Sequence, residues 1–179
     1  MAMLFESKDV RIIFHRYIDP SELGQSLFYY CVEIGEVEFV KSTFLDLNLQ
    51  AKYDTPSLVY LYTASGNGII TINKETVGIK KNDSFIFTTR DHVQFLSSDA
   101  TFYYIVFRGN QSLSYYHYLR EEQEFIKFVD HTNIFTHYLK IKECISGKDQ
   151  INEGYISVSL ECILAEVYTI NHFYGAIGE

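Results

Sequence analysis

Seven side chains in the middle of this chain offer binding chemistry: Tyr60, Tyr62, Phe87, His92, Gln94, Phe102 and Tyr104. Side chains alternate across a β-strand, so residues two apart share a face. By that parity Leu58, Tyr60 and Tyr62 share one face, as do Phe85 and Phe87, then His92, Gln94 and Leu96, then Phe102, Tyr104 and Val106. Gathered round one interior, these faces would supply stacking surfaces, hydroxyls and an amide. That mix suits a small ringed polar molecule such as a sugar. The bland alternative is that the same faces are simply core.

Catalytic groupings are sparser. There is no G-x-S-x-G elbow, no phosphate-cradling glycine loop and no H-E-x-x-H. Nothing sets a nucleophile beside a base. A metal in a β-barrel needs several His and carboxylate ligands converging on one point. The strand Ile69 to Asn73 carries neither type, the next carboxylate is Glu75, and only His92 sits on a later strand. The expectation is a binder, not an enzyme, with no metal and no cofactor.

The elements that would position these residues are short strands with tight turns. Val10 to Tyr17 reads as a strand. Leu27 to Ile34 and Glu36 to Val40 read as a hairpin joined at Gly35, and Ser42 to Pro56 as an irregular connection. Leu58 to Thr63, Ile69 to Ile72, Thr76 to Ile79, Phe85 to Thr88, His92 to Leu96 and Thr101 to Phe107 follow. Ser65-Gly66-Asn67-Gly68 and Lys81-Asn82-Asp83 read as turns between them. Evenly spaced strands of this kind build an antiparallel barrel or sandwich.

After Gly109 the period becomes helical. Helices are expected over Gln111 to Glu122, from a cap at Thr132 or Asn133 to about Ile145, and from about Asn152 to Phe173. In the last, Ile156, Leu160, Ile163, Val167, Ile170 and Tyr174 recur at spacings of 4, 3, 4, 3 and 4. That is the seam along which two helices pack. Its partner is either the chain's own preceding helix or the same helix of a second subunit. The expected dimer interface is Ile156, Leu160, Ile163, Val167 and Ile170.

The 179 residues suffice for one core plus a helical appendage, and the net charge of −8 argues against direct contact with nucleic acid. Aromatics reach 16%, with fifteen Tyr, fourteen Phe and no Trp. Cys31, Cys144 and Cys162 are odd in number and far apart, so they read as thiols in a reducing compartment. No signal-peptide pattern and no membrane-length apolar run is visible. A cytoplasmic location is expected.

The run Tyr60 to Gly68, then Ile79 to Phe87, then His92, then Phe102 to Gly109 ending in Phe107-Arg108-Gly109, resembles the N-terminal domain of AraC-type transcription regulators. The resemblance covers about residues 25 to 175. It implies a mainly β fold with C-terminal helices: a cupin-like jelly-roll barrel over 1–110 and a helical dimerisation segment over 111–179. It implies an effector, often a sugar, held in the barrel, and homodimers formed through the helices. By position it assigns Gln94, Phe102 and Tyr104 to the effector pocket and puts Lys52 where a cation is used. The family's helix-turn-helix modules are expected beyond Glu179, so DNA would be met only through them. Asn82 stands where the family has glycine, and it too accepts a left-handed backbone. The rival implied by the barrel is a stand-alone cupin enzyme of sugar isomerase or epimerase type, with His92 and Tyr104 as an acid/base pair.

Overall fold

The computed structural model describes residues 3–120, 126–129, 133–147 and 151–170. The expected helix ends at Glu122 and Phe173, the Thr132 cap and Tyr174 of the apolar stripe lie outside these residues.

The chain runs β1 (Val10–Tyr17), α1 (Glu22–Ser26), β2 (Tyr30–Phe39), β3 (Thr43–Leu47), α2 (Leu49–Lys52), β4 (Leu58–Ile72), β5 (Glu75–Lys80), β6 (Asp83–Thr88) and β7 (Val93–Arg108). Then come α3 (Ser112–Arg120), β8 (Ile126–Val129), α4 (Ile134–Ser146) and α5 (Glu153–Thr169). The strands form one antiparallel sheet in the order β1-β2-β7-β4-β6-β8, with β3 also on β7 and β5 also on β4. Strand β8 lies beyond residue 110 yet pairs with β6.

Three expected breaks are not breaks. Gly35 sits inside β2, not in a hairpin. Ser65 to Gly68 lie inside β4, where the pairing with β7 slips between Thr63 and Ser65 and again between Ser65 and Asn67. Gly66 takes φ 83 there, and Asp99 on the facing strand takes φ 52. The glycine-rich signal therefore marks a bulge that bends a long strand, a job glycine does as readily as a turn. Likewise His92–Leu96 and Thr101–Phe107 are joined across residues 97–100 into one strand, β7. The true tight turns fall at Asn73 (φ 56) and Asn82 (φ 71), both left-handed.

Bent at those bulges, the sheet wraps around an apolar interior lined by Val37 and Phe39 of β2, Val59 and Leu61 of β4, Phe85 and Phe87 of β6, and Phe95, Phe102 and Tyr104 of β7. The expected hollow is filled. Leu4 and Phe5, from the irregular segment ahead of β1, are fully buried inside it.

A second apolar layer lies between the outer face of the sheet and the helices. It joins Leu58, Tyr60, Ile105 and Phe107 to Tyr116, Tyr138, Ile141, Ile156, Leu160, Ile163 and Val167. This corrects the expected dimer seam. Leu160, Ile163 and Val167 are 0% exposed and Ile156 2%, all packed within their own chain. Ile170 is partly buried against the same layer. An a/d stripe reports only that a helix has a partner, and α4 with the sheet provides one.

Candidate functional site

Glu33 is turned into the barrel interior and is 0% exposed. A buried carboxylate is costly unless hydrogen-bonded and paired. Glu33 accepts from four donors. Leu4 N–H lies 3.0 Å from Oε1, Tyr104 O–H 2.8 Å from Oε1, and His15 Nε2 3.2 Å from Oε1. The Tyr53 hydroxyl donates to Oε2.

Local backbone geometry explains why Glu33 points inward. The β2–β7 register slips between Cys31 and Glu33. Cys31 and Ile34 face the helices, whereas Val32 lies in the interior cluster and Glu33 bonds Tyr104 there. The bulge places two consecutive side chains on one face, which re-aims the carboxylate. Strict alternation from Val32 would have turned Glu33 outward.

The phenols of Tyr53 and Tyr104 are pushed far above their ordinary range, first by burial and then by the neighbouring Glu33 charge. They stay protonated and act as donors. Lys52 is half-buried and its ammonium is shifted down by desolvation, against the pull of Glu6 and Glu33. Its Nζ donates to the carbonyl oxygens of Met3 at 2.8 Å and Leu4 at 3.2 Å. Beside this cluster opens a cleft of about 310 Å³ lined by Tyr17, Pro20, Tyr30, Val32 and Arg108. Tyr17 packs edge-on against His15 at 4.4 Å, linking cleft to carboxylate.

The sequence-based set divides. Phe87, Phe102 and Tyr104 line the interior, and Lys52 reaches the segment that fills it. Tyr60 and Tyr62 do not. Leu58 and Tyr60 face the helices, while Val59 and Leu61 face inward. Tyr60 stacks on Phe128 at 6.5 Å; Tyr62 stacks on Phe135 at 4.6 Å and donates to Asn82 Oδ1 at 3.0 Å. Over residues 58–61 both faces of β4 are covered, so no polar alternation marks the inner one.

His92 and Gln94 also lie outside the barrel. Val93 and Phe95 take the inward positions of β7. His92 Nε2 sits 3.1 Å from both carboxylate oxygens of Asp46, and Gln94 Nε2 donates to Asp46 Oδ2 at 2.8 Å. The Gln94 hydrogen bond, then those of His92, hold the Asp46 carboxyl below its ordinary range. His92 lines an open outer cleft of about 540 Å³ with Asp46, Asn48, Gln50 and Asp91. The expected pair of His92 with Tyr104 is therefore not assembled, and His15 stands near Tyr104 through Glu33 instead. Sequence reasoning missed Glu33, His15 and Tyr53. An acidic residue inside an otherwise apolar strand run was the available signal for Glu33.

Among the described residues, no three His, Cys, Asp or Glu side chains cluster as metal ligands. No described helix is long and apolar enough to cross a membrane.

The interior is connected to the helices. Tyr104 lies over Gly35, and Tyr138 of α4 places its hydroxyl 3.1 Å from Gly35 O and 3.3 Å from Glu36 Oε1. Lys142 Nζ meets the same Glu36 oxygen at 2.5 Å and lies 4.9 Å over the Phe14 ring. Neighbouring positions of β2 thus serve the interior and α4.

No protein-family model and no curated protein matches the chain. Solved structures do match in fold. The AraC-like transcriptional activator CuxR aligns at TM-score 0.53 and 10% identity, over 88% of this chain and 60% of CuxR. Pac13 of Streptomyces, described as a nucleoside dehydratase, aligns at TM-score 0.41 and 16% identity, over 59% of this chain and 80% of Pac13. A cupin domain of an XRE-family transcriptional regulator from Enterobacter cloacae aligns at TM-score 0.37 and 12% identity, over 54% of this chain and 92% of that domain. The fold is a cupin β-barrel followed by a helical segment, and it resembles that of an AraC-like regulator. The expectation that the protein is not an enzyme is withdrawn. A nucleoside dehydratase stands among the structures that match.

Proposed function

We propose that this chain is the effector-sensing part of a transcription regulator of AraC type, with a small organic molecule bound in the barrel and an attached helix-turn-helix portion beyond Glu179. One observation carries this: a fully buried carboxylate, Glu33, is bonded both to the segment filling the interior and to Tyr104, and stands on β2, the strand whose Gly35 and Glu36 meet α4. An effector that replaces Leu4 at Glu33 changes what Tyr104 and Gly35 pack against. The change passes to Tyr138 and Lys142 on α4. A ligand shifts such an equilibrium only by its differential affinity for the two arrangements, and displacement of residues 3–5 supplies one.

The polar lining expected for a sugar comes down to Glu33, Tyr53, Tyr104 and His15 at one side, with the Thr63 hydroxyl on the face of Val59 and Leu61. The effector accordingly has one polar end and a large apolar part. Pairing of two such domains would use the side of α5 turned away from the core. There Tyr155 (44% exposed), Val158 (57%), Cys162, Ala165 and Thr169 form a second stripe at heptad spacing.

The test is a thermal-shift screen of small organic acids, amides and sugars against the wild type and Glu33→Gln. A compound that stabilises the wild type and loses its effect in the variant supports the proposal. Compounds that stabilise both equally place the site elsewhere. The downstream reading frame should encode helix-turn-helix sequence.

A second function has its own support. His15, Glu33 and Tyr104 form a chain of acid/base groups at 3.2 and 2.8 Å, which could move a proton on a bound substrate. Turnover of a screened ligand, abolished by Tyr104→Phe in a folded protein, would favour an enzyme over a sensor.

A further inference from the structure

Met3, Leu4 and Phe5 meet the barrel as a bound molecule would. They belong to no strand or helix. Leu4 presents one N–H to Glu33 at 3.0 Å. Met3 and Leu4 present two carbonyl oxygens to Lys52 Nζ at 2.8 and 3.2 Å. The Phe5 ring is fully buried. It meets Phe39 at 5.9 Å, Phe95 at 5.4 Å and Tyr104 at 5.4 Å in edge contacts, and stacks on Phe102 at 6.3 Å. One donor, two acceptors and one ring are thus matched by a carboxylate, an ammonium and an aromatic cage.

We propose that residues 3–5 are an internal stand-in for the effector. The effector then shares their chemistry: an aromatic ring carried on an amide chain, as in an N-acylated aromatic amino acid or a short peptide. This rests on the proposal that the barrel is the effector site.

The cage around the ring is built from Phe39, Phe95 and Phe102, whose side chains offer no hydrogen bond, and from Tyr104, whose hydroxyl is committed to Glu33. Ring hydroxyls of a sugar placed there would be buried without partners, whereas an aromatic ring gains edge and stacking contacts. The polar groups lie to one side, spaced for a peptide unit. Lys52, short of water, requires an acceptor oxygen, and Glu33 requires a donor. A tethered segment competes as a high local concentration, so an outside ligand binds with an affinity lowered by the fraction of time the interior is filled.

The test is calorimetric titration of N-acetyl-leucyl-phenylalaninamide, which reproduces the two carbonyls, the N–H and the ring. N-acetyl-leucyl-alaninamide and D-galactose serve as comparison ligands. The hosts are the wild-type chain and Phe5→Ala, with Phe5→Leu used for the same comparison if Phe5→Ala does not fold. The substituted host should bind the phenylalanine compound at least about tenfold more tightly than the wild type does, and at least about tenfold more tightly than it binds the alanine compound. Equal affinity for the two amides, or no gain from the substitution, overturns the proposal. If D-galactose binds and neither amide does, the barrel remains an effector site and only the ligand class falls. If no ligand of these or of the thermal-shift screen binds, both fall.

Discussion

The Tyr104 ring lies where a side chain at residue 35 would be: a Cβ on Gly35 would stand 2.6 Å from Cε1, Cζ and the hydroxyl oxygen of Tyr104. Glycine is required at 35 for this close approach, not for a turn. Gly35→Ala should push the phenol off Glu33 and destabilise the fold by about 1–3 kcal/mol, the usual cost of overpacking. The Gly35→Ala, Tyr104→Ala pair should cost less than the sum of its singles in a denaturant double-mutant cycle.

Glu33→Leu removes the acceptor shared by Tyr53, Tyr104 and Leu4 N–H. Each buried donor left without a partner costs about 1–3 kcal/mol. Glu33→Gln keeps an acceptor oxygen and should lose less. Urea melts of the two variants should therefore rank Leu below Gln below wild type. The reverse order would mean that the carboxylate is a burden the fold carries for binding.

Alkaline pH should unfold the protein. Burial raises the phenols of Tyr53, Tyr104 and Tyr138 well above their ordinary value of 10.0. In that window the folded chain keeps these protons and the unfolded chain releases them. The stability they lend is complete below pH 10 and falls as pH rises beyond it. Lys52, shifted down by burial, works in the opposite sense but is a single group against three. Tyrosinate absorbance of these residues should appear together with loss of circular dichroism, not before it.

Leu160→Asp should unfold the helical layer, since Leu160 is 0% exposed within its own chain. Val158→Asp, at 57% exposure, should leave the fold intact. If two chains pair through the outer side of α5, sedimentation should show dimers for the wild type and monomers for Val158→Asp.

His92→Ala should change stability by less than about 1 kcal/mol, because the His92 and Asp46 side chains are 55% and 44% exposed and such pairs contribute little. It should also leave ligand binding in the barrel unchanged.

Most strands of the barrel and the three later helices were legible because their apolar periods are strong, and Asn82 was legible as a left-handed turn residue; β3 and α2, inside the stretch expected to be irregular, and the short α1 were not. What defeated parity was twofold. On β4, residues 58–61 are buried on both faces, so Tyr60 and Val59 look alike from sequence. On β2, the bulge after Cys31 inverts the alternation, and the group that matters, Glu33, lies just beyond it. The stripe on α5 was read at the right residues, but spacing alone could not tell a partner in the same chain from one in another. The contribution of residues 3–5 has no sequence signal, because an irregular segment carries no period.

Part of the barrel's lining is thus an irregular segment ahead of β1 and not a strand. A substitution at Leu4 or Phe5 breaks no hydrogen bond of the sheet's ladder, so its cost falls on the packing of the interior and, if the barrel holds an effector as proposed, on the concentration at which that effector enters. On that reading, three residues that belong to the interior but to no strand set the point at which protein and ligand exchange places.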